Sequence, residues 1–180
     1  LAGESADILW SNLVLQWINE PRRAFAEMWR ALKPGGLLMF SSFGPDTLKE
    51  LRAAYQGADR HTHVQRFIDM HDLGDMLVAS GFADPVMDME IVTLTYADVR
   101  ELMRDLKAIG AHNLTRGRPG TLGGKSLLAK VTQNYEAFRR DGKLPATYEV
   151  VYGHAWKPAG HRLPPGVKPV KVHFPQRGSR

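Results

Sequence analysis

The chain has 180 residues, 43% hydrophobic and 24% charged, the composition of a globular domain with room for one compact core. Its net charge of +5 is matched by Arg162, Lys168, Lys171, Arg177 and Arg180 in the acid-free tail 158–180, so the body is electrically balanced. Cysteine is absent, which excludes disulfides and thiolate metal sites and fits a reducing cytoplasm; no apolar run nears the ~18 residues of a membrane span, and no signal peptide opens the chain.

Ala6–Trp10 is a short apolar run that predicts a buried parallel strand ending at Ser11-Asn12. Asn19-Glu20-Pro21 predicts a helix start with Asn19 as its cap, and Phe25, Met28, Trp29 and Leu32 recur at helical spacing. Lys33-Pro34-Gly35-Gly36 stops that helix, and Leu37–Phe43 reads as a second strand. Strand, helix and strand with short joints make a βαβ unit, hence a parallel sheet.

Asp46 to Tyr55 predicts a helix, and residues 56–68 are polar and turn-rich. Asp69 can cap a helix to about Ser80, with Leu73, Met76 and Leu77 inward and Gly81 as the stop. Val86–Tyr96 reads as a strand. Asp98 caps the next helix, with Glu101 placed for a capping box and Gly110 at the end. Residues 111–124 are glycine-rich, and Gly120–Gly124 reads as a surface turn. A helix follows over 126–140. Thr147–Trp156 alternates large residues (Tyr148, Val150, Tyr152, His154, Trp156) with small or polar ones, a half-buried antiparallel strand. The Pro-rich basic tail reads as flexible and solvated.

Several segments together carry a resemblance. Asp7–Trp17 (DILWSNLVLQW) looks like the fourth-strand motif of class I methyltransferases, and Ala31–Gly36 (ALKPGG) resembles the approach to their fifth strand. Phe43–Leu51, Arg66-Phe67-Ile68-Asp69 and Pro145–Val150 follow in order, and Leu106–Asn113 (LKAIGAHN) resembles a family-specific insertion. Across residues 1–157 the chain is similar to the BioC family of malonyl-[acyl-carrier protein] O-methyltransferases.

The resemblance implies an α/β fold: a Rossmann-like class I methyltransferase sheet, here strands four to seven, with a helical insertion at about 97–144 before the last strand. Residues 1–157 would form that domain portion and 158–180 the tail. The chain opens on Leu1 and reaches a strand by Asp7. We expect upstream sequence to hold three further strands and the glycine loop, so that this piece alone is inactive.

The implied reaction is methyl transfer from S-adenosyl-L-methionine to the free carboxylate of a malonyl thioester, on acyl carrier protein or coenzyme A, priming pimeloyl synthesis for biotin. By resemblance Trp10, Ser11, Asn12 and Leu13 bind the cofactor. Trp17, His63, Arg66, Phe67, Lys107, His112 and Asn113 bind substrate, with Arg66 and Asn12 at the reacting centre. One Arg can grip a carboxylate's far oxygen through its planar fork and leave the other oxygen nucleophilic. No metal is expected.

Arg100, Arg104 and Lys107 share a helical face, and Arg116 and Arg118 follow without an acid between 107 and 130, a surface suited to an acidic carrier protein. Nucleic-acid binding is not expected, because basic charge lacks interleaved aromatics. Two other readings fit parts of the pattern: a relative of a respiratory complex I assembly factor acting on protein arginine, and a non-catalytic carrier-protein docking module.

Overall fold

A computed structural model describes residues 1–56, 58, 64, 66–108 and 125–160. Four strands form one sheet: β1 (Ala6–Ser11), β2 (Leu32–Phe43), β3 (Ala83–Tyr96) and β4 (Leu144–Trp156), in the order β1-β2-β4-β3. β1 and β2 run parallel; β4 lies antiparallel between β2 and β3. The parallel pair and the antiparallel last strand are both as the sequence implied.

Helix α1 (Pro21–Ala31) makes the crossover between β1 and β2, and α3 (Met70–Ala79) follows β2. Their apolar stripes meet one face of the sheet. Phe25, Leu32, Leu38, Phe40, Leu73, Leu77, Val151 and Ala155 are buried there as one cluster. The Phe25 and Phe40 rings sit 5.5 Å apart and tilted. Gly153 makes that packing possible: a Cβ on it would lie 2.3 Å from Phe40 Cζ and 2.9 Å from Met87 Sδ. Lys157, at the end of β4, is buried; its Nζ donates to the Leu32 carbonyl at 2.8 Å and lies 4.1 Å from the Trp29 ring centre.

A second cluster lies on the opposite face, toward the far ends of β3 and β4. Helices α2 (Lys49–Tyr55), α4 (Val99–Ala108) and α5 (Lys125–Tyr135) bury Leu51, Val99, Leu102, Val131 and Tyr135 against Tyr96, Leu144 and Ala146. The rest of that face is open. Ile8 is 62% and Trp10 77% exposed, beside Met39, Tyr152, Trp156 and Val86. β1 is therefore a half-bare edge strand, where its apolar sequence predicts burial on both sides. It pairs only with β2, and no described element covers its outer face.

Local predictions fared differently according to what held each segment. Asp69 does cap α3, accepting the His71 N–H at 2.8 Å, and Asp98 accepts the Glu101 N–H at 2.9 Å. Glu101 reaches back to the Ala97 N–H at 2.8 Å, one residue beyond the position a capping box names. Asn19 is not the cap of α1; Glu20 occupies that position with no side-chain bond, and Pro21 alone marks the start.

Asp46–Leu48 is a turn instead of helix, because tertiary bonds to β4 claim its backbone. The Asp46 N–H goes to Glu149 Oε2 at 2.7 Å and the Leu48 N–H to the Thr147 carbonyl at 2.6 Å, with Leu48 in the left-handed region at φ 55°. α5 ends at Tyr135 and gives way to a 3-10 turn at Glu136–Phe138. In β4 the small and polar set Thr147, Glu149, Val151, Gly153 and Ala155 is buried, and the large alternating residues occupy the more open face.

Candidate functional site

Parallel α/β sheets bind ligands beyond the carboxyl ends of their strands. Here that edge is where β1 ends at Ser11 and β2 at Phe43. Asn12 and Leu13 turn out of β1, with Leu13 in the left-handed region at φ 50°. Ser41 fixes this turn from the neighbouring strand. Its Oγ accepts the Leu13 N–H at 3.0 Å and donates to Asn12 Oδ1 at 2.6 Å. Gln16 Nε2 closes the turn from the other side, donating to the Leu13 carbonyl at 2.6 Å.

Trp10 and Ser11 leave the strand on opposite faces. Trp10 stands exposed on the open face, and both it and Ser11 contribute to a groove of about 370 Å³ with Leu9, Leu38 and Met28 beside α1. Trp17, on the 3-10 turn Leu15–Trp17, is largely exposed.

The Arg66–Phe67 segment meets the same strand edge. The Phe67 ring packs edge-on against Phe43 at 5.7 Å, and Phe43 in turn lies 5.8 Å from Tyr148. Arg66 is exposed beside them. A second guanidinium, Arg52, is anchored below. It donates to the carbonyls of Pro45 and Thr47, both at 3.0 Å, and its Nε is buried without a hydrogen-bond partner. Burial, and then the nearby charge of Arg66, hold the Arg52 pKa below its usual value. Arg52 is thus committed to the turn after β2, within electrostatic reach of Arg66. The nearby Asp46 carboxylate is bonded to Lys49 at 2.8 Å.

The turn is held rigidly. Glu149, buried in β4, takes the Asp46 N–H, and Thr47 exchanges hydrogen bonds with the Glu149 backbone at 3.1 Å each way. Gly44 is required here, since a Cβ would fall 2.4 Å from the Glu149 carboxyl carbon. Glu50, also buried, accepts both the N–H and the hydroxyl of Thr147.

Lys107 is exposed on α4, next to Ala108, which lines a cleft shared with Phe43. His63, His112, Asn113, Arg116 and Arg118 lie outside the described residues, as does the Gly120–Gly124 turn. The sequence reading passed over Ser41, Arg52, Tyr96, Asp105 and Tyr148. Only Phe43 and Tyr148 had a signal, since both stand in the quoted motifs. Among the described residues, no three or more His, Asp or Glu side chains are grouped to hold a metal.

Comparisons with known proteins bear on the fold and on sequence kinship alone. Residues 1–40 match the model of a family described as a methyltransferase domain. Two solved structures share the fold: a proposed methyltransferase from Bacillus halodurans (TM-score 0.55, 16% identity, 88% of this chain and 67% of that one) and the YcgJ protein of Bacillus subtilis (TM-score 0.55, 13% identity, 89% and 67%). The malonyl-[acyl-carrier protein] O-methyltransferase of Gallionella capsiferriformans is 60% identical over 174 residues, covering 97% of this chain and 60% of its own length. By sequence the chain is similar to these O-methyltransferases. The enzyme of the same name from Methylovorus sp. is 59% identical over 172 residues, 95% of this chain and 58% of its own. The one from Legionella pneumophila is 40% identical over 163 residues, 90% and 57%. The chain thus spans under two thirds of the length of each of these malonyl-[acyl-carrier protein] O-methyltransferases.

Proposed function

We propose that the protein transfers a methyl group to the free carboxylate of a malonyl thioester in the cytoplasm, giving the methyl ester that primes pimeloyl synthesis for biotin. What supports this most is the likeness over 95–97% of the chain to enzymes named malonyl-[acyl-carrier protein] O-methyltransferase. The exposed Arg66, beside the Phe67–Phe43 contact at the end of β2, suits an anionic group presented to that strand edge.

S-adenosyl-L-methionine, when bound, would supply an electrophilic methyl on a sulfonium cation. The strand edge suits such a group: Asn12, exposed and steadied by Ser41, brings an amide oxygen, and Trp10 an exposed indole face, both attractive to a cation. Trp10, Ser11, Asn12 and Leu13 would hold it. The substrate carboxyl, with an ordinary pKa near ~4, is already ionised at neutral pH and needs no general base. The carboxylate would itself be the nucleophile toward that methyl, so no residue of this chain has to move a proton.

Arg66, the proposed catalytic residue with Asn12, holds the other carboxylate oxygen. Phe67 and Trp17 would keep the site poor in water, which favours a step that neutralises charge. His63, His112 and Asn113 remain candidates on the substrate side. The exposed Arg100, Arg104 and Lys107 of α4 suit an acidic carrier protein, with Arg116 and Arg118 assigned to the same surface. We read residues 97–144 as an addition to the methyltransferase sheet that shapes this side of the site, and the 180-residue chain alone as inactive.

The test is methylation of a malonyl thioester by the protein as its gene encodes it. Arg66→Ala is expected to lower kcat/KM by about tenfold to a hundredfold, the worth of one charged hydrogen-bonding contact. Unchanged turnover would remove Arg66 and the pocket with it.

A further inference from the structure

On the side of the sheet that carries Phe43, a cleft of about 390 Å³ runs between the far ends of β3 and β4 and helix α4. Its walls are mainly carbon: Phe43, Val92, Leu94, Tyr148 and Val150 from the sheet and Ala108 from α4. Its volume sits at the small end of the range for small-molecule sites, about 300–1,000 Å³. One end is the Phe43 ring, against which Phe67 packs, one residue from Arg66. Toward Tyr96 at the far end, Asp105 is the only acid among the described residues of the lining.

Tyr148, Tyr96 and Asp105 are the polar side chains of its described lining, and Tyr96 lies within electrostatic reach of the other two. The Tyr148 hydroxyl, whose ring stands 5.8 Å from Phe43, can accept a hydrogen bond from an N–H. Burial, followed by the neighbouring Tyr96, favours the neutral form of Tyr148. A carbon-walled cleft with an acceptor oxygen and a carboxylate rejects anions and takes a neutral, slender molecule bearing N–H donors.

We infer that this cleft holds the amide-bearing pantetheine arm of the thioester substrate, with the Tyr148 oxygen accepting an amide N–H. The inference rests on the malonyl thioester reading and deepens it. The two ends of the cleft give the substrate one orientation. The carboxylate is drawn to Arg66 and Arg52 and kept from Asp105, while the uncharged arm lies along Val92, Leu94 and Val150. The arm leaves past Ala108, where Lys107 and the basic face of α4 begin. A malonyl group would then be read at its charged end and its carrier at the far end, by separate residues.

The experiment compares two substrates in the protein as its gene encodes it: malonyl-pantetheine, and malonyl S-ethyl thioester, which keeps the carboxylate and thioester but lacks the amides. Tyr148→Phe is expected to lower kcat/KM for the first about tenfold relative to the second, the loss of one hydrogen bond. A ratio that does not move overturns the assignment. Ala108→Trp, which fills the cleft from an exposed helical position, is expected to move the ratio in the same direction through KM.

Failure of the methyl-transfer reading is distinguishable. If neither thioester is methylated, binding of pantetheine itself is followed by nuclear magnetic resonance. Saturable shifts of the Tyr148 and Tyr96 rings, lost in Ala108→Trp, sustain the cleft; no such shifts refute it.

Discussion

At the scale of single residues, the most exacting position is Gly153. It lets the Phe40 ring cross β4 and reach Phe25, and any Cβ would overlap that ring and Met87. Neither neighbour can withdraw without opening the cluster around Leu38 and Val151. Gly153→Ala is therefore expected to destabilise the fold by about 1–3 kcal/mol, the usual cost of overpacking. Urea denaturation measures it, and a change within the error of the method would show that the ring has room to move. The helix caps make a different prediction. Asp69 is held below the usual carboxylate range by the His71 N–H and then the His71 ring, and Asp98 chiefly by the Glu101 N–H. A carboxyl depressed in the fold stabilises fully above its unfolded pKa, near ~3.9, and loses that contribution as pH falls through the folded value. Asn also caps helices well. The double variant Asp69→Asn, Asp98→Asn should keep most of its stability at pH 7 and show a shallower fall in Tm below about pH 4. An unchanged acid limb would dissociate the caps from the pH response.

At the scale of elements, the turn after β2 decides the shape of the site, and it is built from buried acids. Thr147 gives its N–H and hydroxyl to Glu50, and both residues are buried. Thr147→Val keeps the volume and deletes the hydroxyl donor, so a buried carboxylate loses a partner. The expected cost is about 1–3 kcal/mol by chemical denaturation. Glu50→Gln in the same background should recover part of it; no recovery would mean the carboxylate's charge is not the source. These contacts also explain what the sequence could and could not disclose. Caps at Asp69 and Asp98 and the parallel βαβ order were legible because the residues that fix them are neighbours in the chain. The Asp46–Leu48 turn was not, since a helical pattern there is overridden by Glu149 and Thr147, about a hundred residues away. Arg66, Phe67 and Asn12 were singled out through motifs. The contacts of Arg52 and Ser41, and the shared cleft of Tyr148, Tyr96 and Asp105, had no such signal, because they depend on which strands meet.

At the scale of the molecule, two cores occupy opposite faces and opposite ends of one sheet. The arrangement leaves a quadrant where β1, β2, β4 and β3 present Trp10, Met39, Tyr152 and Val86 to solvent on the face opposite α1. Among the described residues nothing pairs with the outer edge of β1, whose N–H and C=O groups can join another strand. Contiguous apolar patches of this kind drive association. The isolated 180-residue chain is therefore expected to self-associate at micromolar concentration, visible as a concentration-dependent sedimentation coefficient. Placing Lys at Ile8 and Trp10 should return it toward a monomer, because two charges on an edge strand oppose pairing and their burial against a second copy would cost several kcal/mol. Neither side chain contributes to the cluster around Phe25 and Leu38, so the variant should melt close to the parent. A parent chain that stays monomeric throughout, and binds no hydrophobic dye, would mean that something within the chain already covers this face.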